Sequence, residues 1–450
     1  MLHNTDVTKF VKTDRQKIAV IGSGISGSSS AWLLRDHHDV TLYEKNKIAG
    51  GHTATIDIDY DGMPISVDTG FIVYNELNYP HLTNLFDHLN VQTHDSDMSF
   101  AMSRDLGKFE WGGNSLAMLF AQKRNVFRLE FLNMLREVFR FNNLCVKDRD
   151  KGHLKGRSIG EYLIWRGFSP GFQNNYLMPM AAAIWSSSAN QMLEFPAVQF
   201  VNFFDNHRLI HRSRPSWRTV TGGSRNYLDK LHADLGDRIK LDCGVENVMR
   251  ANGKVNITDS TGHTDIFDQV IFACHTDQMI KAIDVPTEAE RDIATSIPYS
   301  MNKVYLHRDA SLMPKRKNVW ASWNYLCSSN DTDTSSVAVS YWMNQLQDID
   351  HSKPLFVTLN PTTNPDPELT FGEYNYAHPQ FGQKATIAQL MLEGIQGQNN
   401  TWFAGAWTGS GFHEDGLRSA VKIANMLGCV APWQKLDKDA TSNNREIESA

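Results

Sequence analysis

The chain has 450 residues, 41% of them hydrophobic and 21% charged, with a formal net charge of -6. That is ordinary globular composition with enough length for two sizeable cores, and the acidic balance argues against a general nucleic-acid binder. The opening MLHNTDVTKFVKTDRQ lacks the apolar core of a secretory signal. No stretch approaches the ~20 uninterrupted apolar residues that span a bilayer. Five cysteines, Cys145, Cys243, Cys274, Cys327 and Cys429, have neither metal-ligand nor CxxC spacing. Reduced thiols, no metal site and a cytoplasmic location are expected. The polar ends, 1–15 and 434–450, are expected to fray.

The first element is a β-branched apolar run, Lys17 to Ile21, followed at once by Gly22, Gly24 and Gly27 in GxGxxG spacing and by the helical SSSAWLLRD. The first glycine permits a tight turn, the second lets a pyrophosphate approach the backbone, and the third allows close helix–strand packing. Val40 to Tyr43 reads as a second strand ending in Glu44, an acid about 20 residues on that suits a ribose hydroxyl. An α/β dinucleotide-binding unit of Rossmann type is expected.

Downstream come Lys45, then KIAGGHTAT with Gly50 and Gly51, and VDTGFIVYN from Val67 to Asn75. Here the sequence resembles the flavin-containing amine oxidase superfamily, which includes protoporphyrinogen oxidases and phytoene-type desaturases. The resemblance implies a glutathione-reductase-like FAD domain with a discontinuous α+β substrate domain. It implies non-covalent FAD, since no cysteine lies near the closing motif. A typical member has an Arg shortly before the Gly-Gly pair, where this chain has Lys47 and Ile48. By the same resemblance Ser26, Lys45, Gly51, His52, Thr53, Asp68, Thr69 and Gly70 are cofactor-binding residues, and Val245 contacts the adenine.

The segments between the flavin blocks, 76–215 and 291–395, are expected to form the substrate domain, and 16–75, 216–290 and 396–433 the FAD domain. Ser115 to Leu144 places Phe127, Phe131, Met134, Val138 and Phe141 at helical spacing among Arg124, Arg128, Arg136 and Arg140. Such a stretch either lies on an anionic membrane surface or is a core-facing helix pair with a solvated basic face. QNNYLMPMAAAIWSSS, Gln173 to Ser188, either lines a substrate channel or is a buried helix. Thr219 to Gly236 resembles the family's turn and helix returning to the FAD domain. The following segment alternates apolar and polar residues as strand, hairpin and strand. VWASWNYL and AVSYWMNQLQ read as strands, with Trp320, Trp323, Tyr325, Tyr341 and Trp342 as candidates for the pocket or the core.

Near the end, FAGAWTGSGFHEDGLRSA, Phe403 to Ala420, reads as a strand, a Gly-rich turn and a helix start. In the family this unit closes over the flavin, so Gly405, Glu414, Asp415, Gly416 and Leu417 are expected at the cofactor. A helix N-terminus there favours a reduced, anionic flavin. His413 stands where amine oxidases of the superfamily carry an aromatic that frames the amine, and no partner tyrosine is evident. His413 and Tyr74 are the candidate catalytic groups. DTGFIVYNELNYPHLTNLFDHLNVQTHDSDMSFAMS together with GFHEDGLRSA is similar to a narrower group, the FAD-binding oxidoreductases associated with cyclopropane-fatty-acyl synthases. That likeness implies a fatty acyl substrate, desaturation or isomerisation by hydride transfer to flavin N5, and a lipid methyltransferase partner. An amine oxidase and a non-catalytic flavoprotein partner remain the alternatives.

Overall fold

The structure, a computed structural model, describes residues 14–211, 213, 215–328 and 338–434. Except for 14, 15 and 434, the terminal segments expected to fray lie outside the described residues.

The two ends of the sequence meet in one parallel sheet, whose order is Ile239–Lys240, Asp39–Tyr43, Lys17–Ile21, Gln269–Phe272 and Thr401–Phe403. Ile18, Ala19 and Val20 are fully buried, as are Val270 and Ile271, because a parallel sheet is covered on both faces. That double burial explains why these strands read as continuous apolar runs. The helix Ile25–Leu34 is buried along its whole length and crosses the C-terminal helix His413–Met426. Gly416 permits this crossing: a Cβ there would lie 2.7 Å from Ser26 Oγ and 2.8 Å from Ile25 Cγ2. The strand, hairpin and strand expected after Gly236 form a three-stranded antiparallel layer, Val245–Ala251, Lys254–Asp259 and Thr264–Phe267.

A second, seven-stranded sheet draws strands from 100–112 and from 299–379, in the order Thr370–Pro379, Tyr299–His307, Phe356–Leu359, Ala338–Trp342, Trp323–Cys327, Phe100–Arg104 and Phe109–Gly112. Pairing of Trp323–Cys327 with Phe100–Arg104 is parallel, and every other pairing in it is antiparallel. The two predicted aromatic strands are present but shorter than the sequence suggests, since 343–346 turns into a helix. Trp323 and Tyr341 are cross-strand partners 4.8 Å apart and face the central cavity. Trp342 lies on the opposite face of the sheet from Tyr341 and packs edge-on against Trp320, which itself meets Phe356. Neither lines the cavity: the two-residue repeat of the strand turns Trp342 away from it, and Trp320 precedes the strand Trp323–Cys327 altogether.

Helix Leu129–Asp150 buries Phe131, Met134, Glu137, Phe141, Cys145 and Asp148, a stripe with the three- and four-residue spacing of one helical face. Both buried carboxylates are satisfied: Glu137 accepts from Ser169 N and Oγ, and Asp148 pairs with Tyr162 and Arg166. This stripe of the helix therefore faces the core, while Leu129 and Phe139 are exposed. Phe127 departs from the predicted stripe, because a 3-10 turn over Lys123–Phe127 precedes the helix and turns its ring outward.

Candidate functional site

A cavity of about 600 Å³ runs from the carboxyl ends of the parallel strands to the aromatic face of the second sheet. Its first half is built on the glycine-rich turn. Gly22 N–H donates to Tyr43 O across the first two strands, and Gly24 has no neighbouring atom within 4 Å of a Cβ position. Opposite it, a Cβ on Gly51 would lie 3.3 Å from Gly24 Cα. The two bare backbones form an open cradle at the start of a helix, the arrangement that suits a phosphate.

The cavity wall includes Gly22, Gly24, Ser26, Glu44 and Lys45, then Gly51, His52, Thr69 and Gly70, and finally Gly405 and His413. Glu44 lies 6% exposed at the end of the second strand. Its Oε2 accepts from Ser23 N and Oγ, and its Oε1 from Asn46 N and Nδ2. A carboxylate has about four acceptor sites, so a ribose hydroxyl there would replace one of these donors.

Other sequence-expected residues stand behind the wall. Gly27 is at the helix–strand crossing, where a Cβ would lie 1.7 Å from Gly22 O. Thr53 Oγ1 sits between Tyr227 Oη, at 2.6 Å, and His413 Nε2, at 3.2 Å, and so orients the imidazole. Val245 is in the antiparallel layer opposite Asp259. Leu417 is core, packed with the first helix.

The side-chain oxygens of three residues expected at the cofactor tie the chain to itself. Asp68 is fully buried and accepts from Ser224 N and Oγ, Thr55 Oγ1 and Gln347 Nε2. Burial pushes it up to about 6 despite these hydrogen bonds. Glu414 accepts from His81 N and Leu82 N, so it caps the helix Pro80–His88. Asp415 accepts from Ser410 N and Phe412 N and pairs with Arg418. Asp68→Ala should lower unfolding free energy by about 3 kcal/mol, because it strands several buried donors at once; denaturant titration measures this.

Tyr74 requires a correction. It is buried between Tyr79 and Phe86, its hydroxyl lies 3.4 Å from Thr93 Oγ1, and it does not line the cavity. The strand Val73–Tyr74 turns it into the core beneath the wall that Val73 faces. His413 does face the cavity, its ring stacked on Phe71 at 3.8 Å and 16°. Burial lowers its pKa to about 3, which keeps the ring neutral at physiological pH.

Sequence reasoning missed a cluster where the two halves of the cavity join. The ring of His52 lies 5.2 Å from those of Tyr376 and His378, and His275 stacks on Tyr299 at 4.3 Å. Burial, then the neighbouring imidazoles of His378, His275 and His413, holds His52 well below its ordinary value. Tyr376 Oη is 2.7 Å from Thr69 Oγ1. No sequence signal joins positions 52, 275 and 378, since His52 lies in the Gly-Gly turn, His275 just after a strand of the parallel sheet and His378 on a strand of the second sheet, and only the fold brings them together. Among the described residues no group of His, Cys, Asp or Glu is arranged to hold a metal.

The far half of the cavity is lined by apolar and aromatic side chains, among them Ile184, Trp185, Phe203, Trp323, Tyr341 and Phe412. Ile184 to Ser186 reach it from the end of the small-residue helix Met178–Trp185, whose Ala181 to Ala183 are core. That stretch thus divides into cavity-lining residues and a buried helix. Along the described wall the charged side chains are Glu44 and Lys45, both at the nucleotide end. His52 Nε2 and Trp407 Nε1 are buried on this wall without a protein hydrogen-bond partner. With the glycine cradle, these orphaned donors or acceptors fit a long polar cofactor such as FAD.

A Rossmann-type sheet whose two ends close one cavity, above a second sheet with an apolar pocket, defines a two-domain dinucleotide-binding oxidoreductase. Residues 25–427 match the family described as flavin containing amine oxidoreductase, and the chain belongs to that family, whose cofactor is FAD. Among solved structures it is similar to the CLA-producing fatty acid isomerase from P. acnes, with 15% identity over 92% of this chain and 98% of that chain and a TM-score of 0.64. It is also similar to cyclohexylamine oxidase from Brevibacterium oxydans IH-35A, with 13% identity, 92% and 99% coverage and a TM-score of 0.63. Wild-type putrescine oxidase bound to putrescine gives 13% identity, 92% and 98% coverage and a TM-score of 0.62. No curated protein sequence matches the chain. Among the described residues no helix is long and apolar enough to cross a membrane.

Proposed function

We propose that this FAD-dependent oxidoreductase acts on a hydrophobic substrate, a fatty acyl chain that it desaturates or isomerises. The observation that carries this reading is the far half of the cavity, apolar, aromatic and without a carboxylate along its described wall. An alkyl chain gains about 0.8 kcal/mol per buried methylene in such a lining. An alkylammonium would be desolvated there without an ion-pair partner. The fold neighbour that is a fatty acid isomerase agrees with this reading, whereas the amine oxidases among the neighbours keep amine oxidation as the reading to test against.

Gly24 and Gly51 would hold the phosphates of FAD, and His52 and Trp407 would offer it polar contacts. Bound FAD supplies reversible two-electron chemistry. The chain's own residues exclude water and orient the substrate. His413, neutral and held by Thr53, presents its imidazole at the cavity wall as a proton carrier or polar anchor. Net desaturation removes two hydrogens from the acyl chain, whereas isomerisation takes one hydrogen from one carbon and returns one to another, so the double bond moves and the mass is unchanged.

The test is anaerobic addition of phospholipid with unsaturated acyl chains to the purified flavoprotein, followed by mass spectrometry of the acyl products. Loss of the visible flavin bands with a product two hydrogens lighter, or an unchanged mass with a moved double bond, supports the proposal. An unaltered lipid together with peroxide release from an amine panel overturns it. Flavin that no substrate reduces, in a protein that co-purifies with a lipid methyltransferase, would instead favour the partner role.

His413→Phe preserves the stack on Phe71 and removes the Thr53 contact. Flavin content should persist while turnover falls about a hundredfold, the usual scale for a lost proton-transfer group. The wild-type rate should show no His413 titration between about pH 5 and 8, since a group with a pKa near 3 stays neutral throughout that range.

A further inference from the structure

Away from the cavity, a separate hollow of about 420 Å³ lies between a hairpin tip and the entry of helix Leu129–Asp150. Arg104, Lys108 and Arg128 line it, with Asp105, Glu130 and the ring of Phe109. The guanidinium groups of Arg104 and Arg128 sit over that ring, at 4.9 and 5.5 Å. The tip and the helix entry are joined, because Arg124 and Arg128 both donate to Lys108 O. Glu130 accepts from Asn175 Nδ2, and Asp105 Oδ2 lies 3.9 Å from Arg104 Nε. Arg104 Nε is nevertheless buried with no hydrogen-bond partner. Burial and then the charges of Arg124 and Arg104 lower the pKa of Arg128, against a smaller opposing pull from Glu130, so that the three cations of the lining, Arg104, Lys108 and Arg128, outnumber its two carboxylates, Asp105 and Glu130.

Leu129 lines this hollow, and two more large apolar residues, Leu106 and Phe127, adjoin its lining residues Asp105 and Arg128 in the chain. Leu106 at the hairpin tip is 92% exposed, Phe127 87% and Leu129 82%. Exposed apolar groups of this size beside a concentrated positive charge, on a chain whose net charge is -6, form a local amphipathic surface. Basic groups are drawn to the negative surface of an anionic bilayer, and apolar groups beside them enter its acyl boundary.

We propose that this surface docks on an anionic phospholipid bilayer, the phosphate-bearing headgroup entering the Arg104–Lys108–Arg128 hollow while Leu106, Phe127 and Leu129 insert beside it. The docking is independent of what the central cavity transforms. The shared ligand chemistry is a phosphate ester, and the apolar collar selects the lipid over a soluble phosphate.

The experiment is sedimentation of the full-length holoprotein with phosphatidylcholine vesicles and with vesicles that also contain phosphatidylglycerol. Salt titration, and competition by free glycerol phosphate, complete it. The expected result is binding to the phosphatidylglycerol vesicles alone, weakened by salt. Phe127→Ser with Leu129→Ser, and separately Lys108→Gln with Arg128→Gln, should each weaken it about tenfold at unchanged flavin absorbance. Absence of sedimentation, equal binding to both vesicle types, or variants that bind like the wild type would each overturn the proposal. So would tight binding of glycerol phosphate that competes with vesicles and survives the Phe127 and Leu129 substitutions, which would assign the hollow to a soluble phosphate.

Discussion

A Gly27→Ala variant should purify without bound flavin and with reduced stability, whereas Gly24→Ala should fold normally and lose only flavin affinity. The contrast follows from what each added methyl meets. At Gly27 a Cβ lies 1.7 Å from Gly22 O and 2.9 Å from Gly22 C. These are backbone atoms of the turn itself, so no rotamer change relieves the overlap and the first helix must move off the first strand. Overpacking of this kind typically costs about 1–3 kcal/mol or more, and here it also opens the cradle. At Gly24 no protein atom lies within 4 Å, so the native fold admits the methyl, but Gly24 lines the cavity and the methyl occupies space that a phosphate would use. Flavin absorbance after gel filtration and the thermal midpoint separate the two. Normal flavin content in both variants would show that this turn does not hold the cofactor.

The same turn marks how far the sequence could be read. The glycines, Glu44, the Gly-Gly pair and the closing helix were legible because their meaning is local: each conformation follows from a few neighbouring residues. The cavity lining was legible in part, since Trp323 and Tyr341 appeared among the aromatic candidates, but the face each strand residue takes was set only by pairing. Carboxylates were the least legible. Asp68, Glu414 and Asp415 stand in flavin-facing blocks, yet their oxygens accept from protein donors. For Asp68 and Ser224 those partners are 156 residues apart, and for Glu414 and Leu82 332 apart. A buried acid must find donors, and sequence does not say whether they belong to a ligand or to a distant turn. Tyr74 failed for the opposite reason. A tyrosine beside a cofactor motif attracts a catalytic reading, while a two-residue strand turns it inward to pack on Phe86. His52 was legible beside the Gly-Gly pair, but His275 and His378 carried no local pattern, and the fold alone makes the three neighbours.

Unfolding free energy should fall by several kcal/mol between pH 7 and pH 5, with the buried histidines as the cause. Burial lowers His413 to about 3 and His81, His207, His307 and His378 to about 4. In the unfolded chain each titrates near 6.5. Below that value the unfolded state binds more protons than the folded one, so stability declines as pH falls. At pH 5 each ring contributes a loss of about 2 kcal/mol, from roughly 1.5 pK units at 1.36 kcal/mol each. Two buried carboxylates work in the other direction. Burial raises Asp68 to about 6 and Glu414 to about 7, so their stabilising contribution is present in full below the unfolded carboxylate range and is lost as pH rises through the folded values. Between pH 7 and 5 they return about 1–2 kcal/mol each, which five rings outweigh. The net change is a large share of the ~5–15 kcal/mol that a domain possesses. Urea midpoints of the flavin-free protein at the two pH values measure it, and a midpoint that stays level or rises on acidification sinks the argument. His207→Phe separates the cause from general acid effects: the ring is stacked on Phe203 and tilted against Phe412, so phenylalanine keeps the contact and removes the titration. That variant should lose about 2 kcal/mol less than the wild type over the same interval, and an unchanged pH dependence would shift the cause away from this ring.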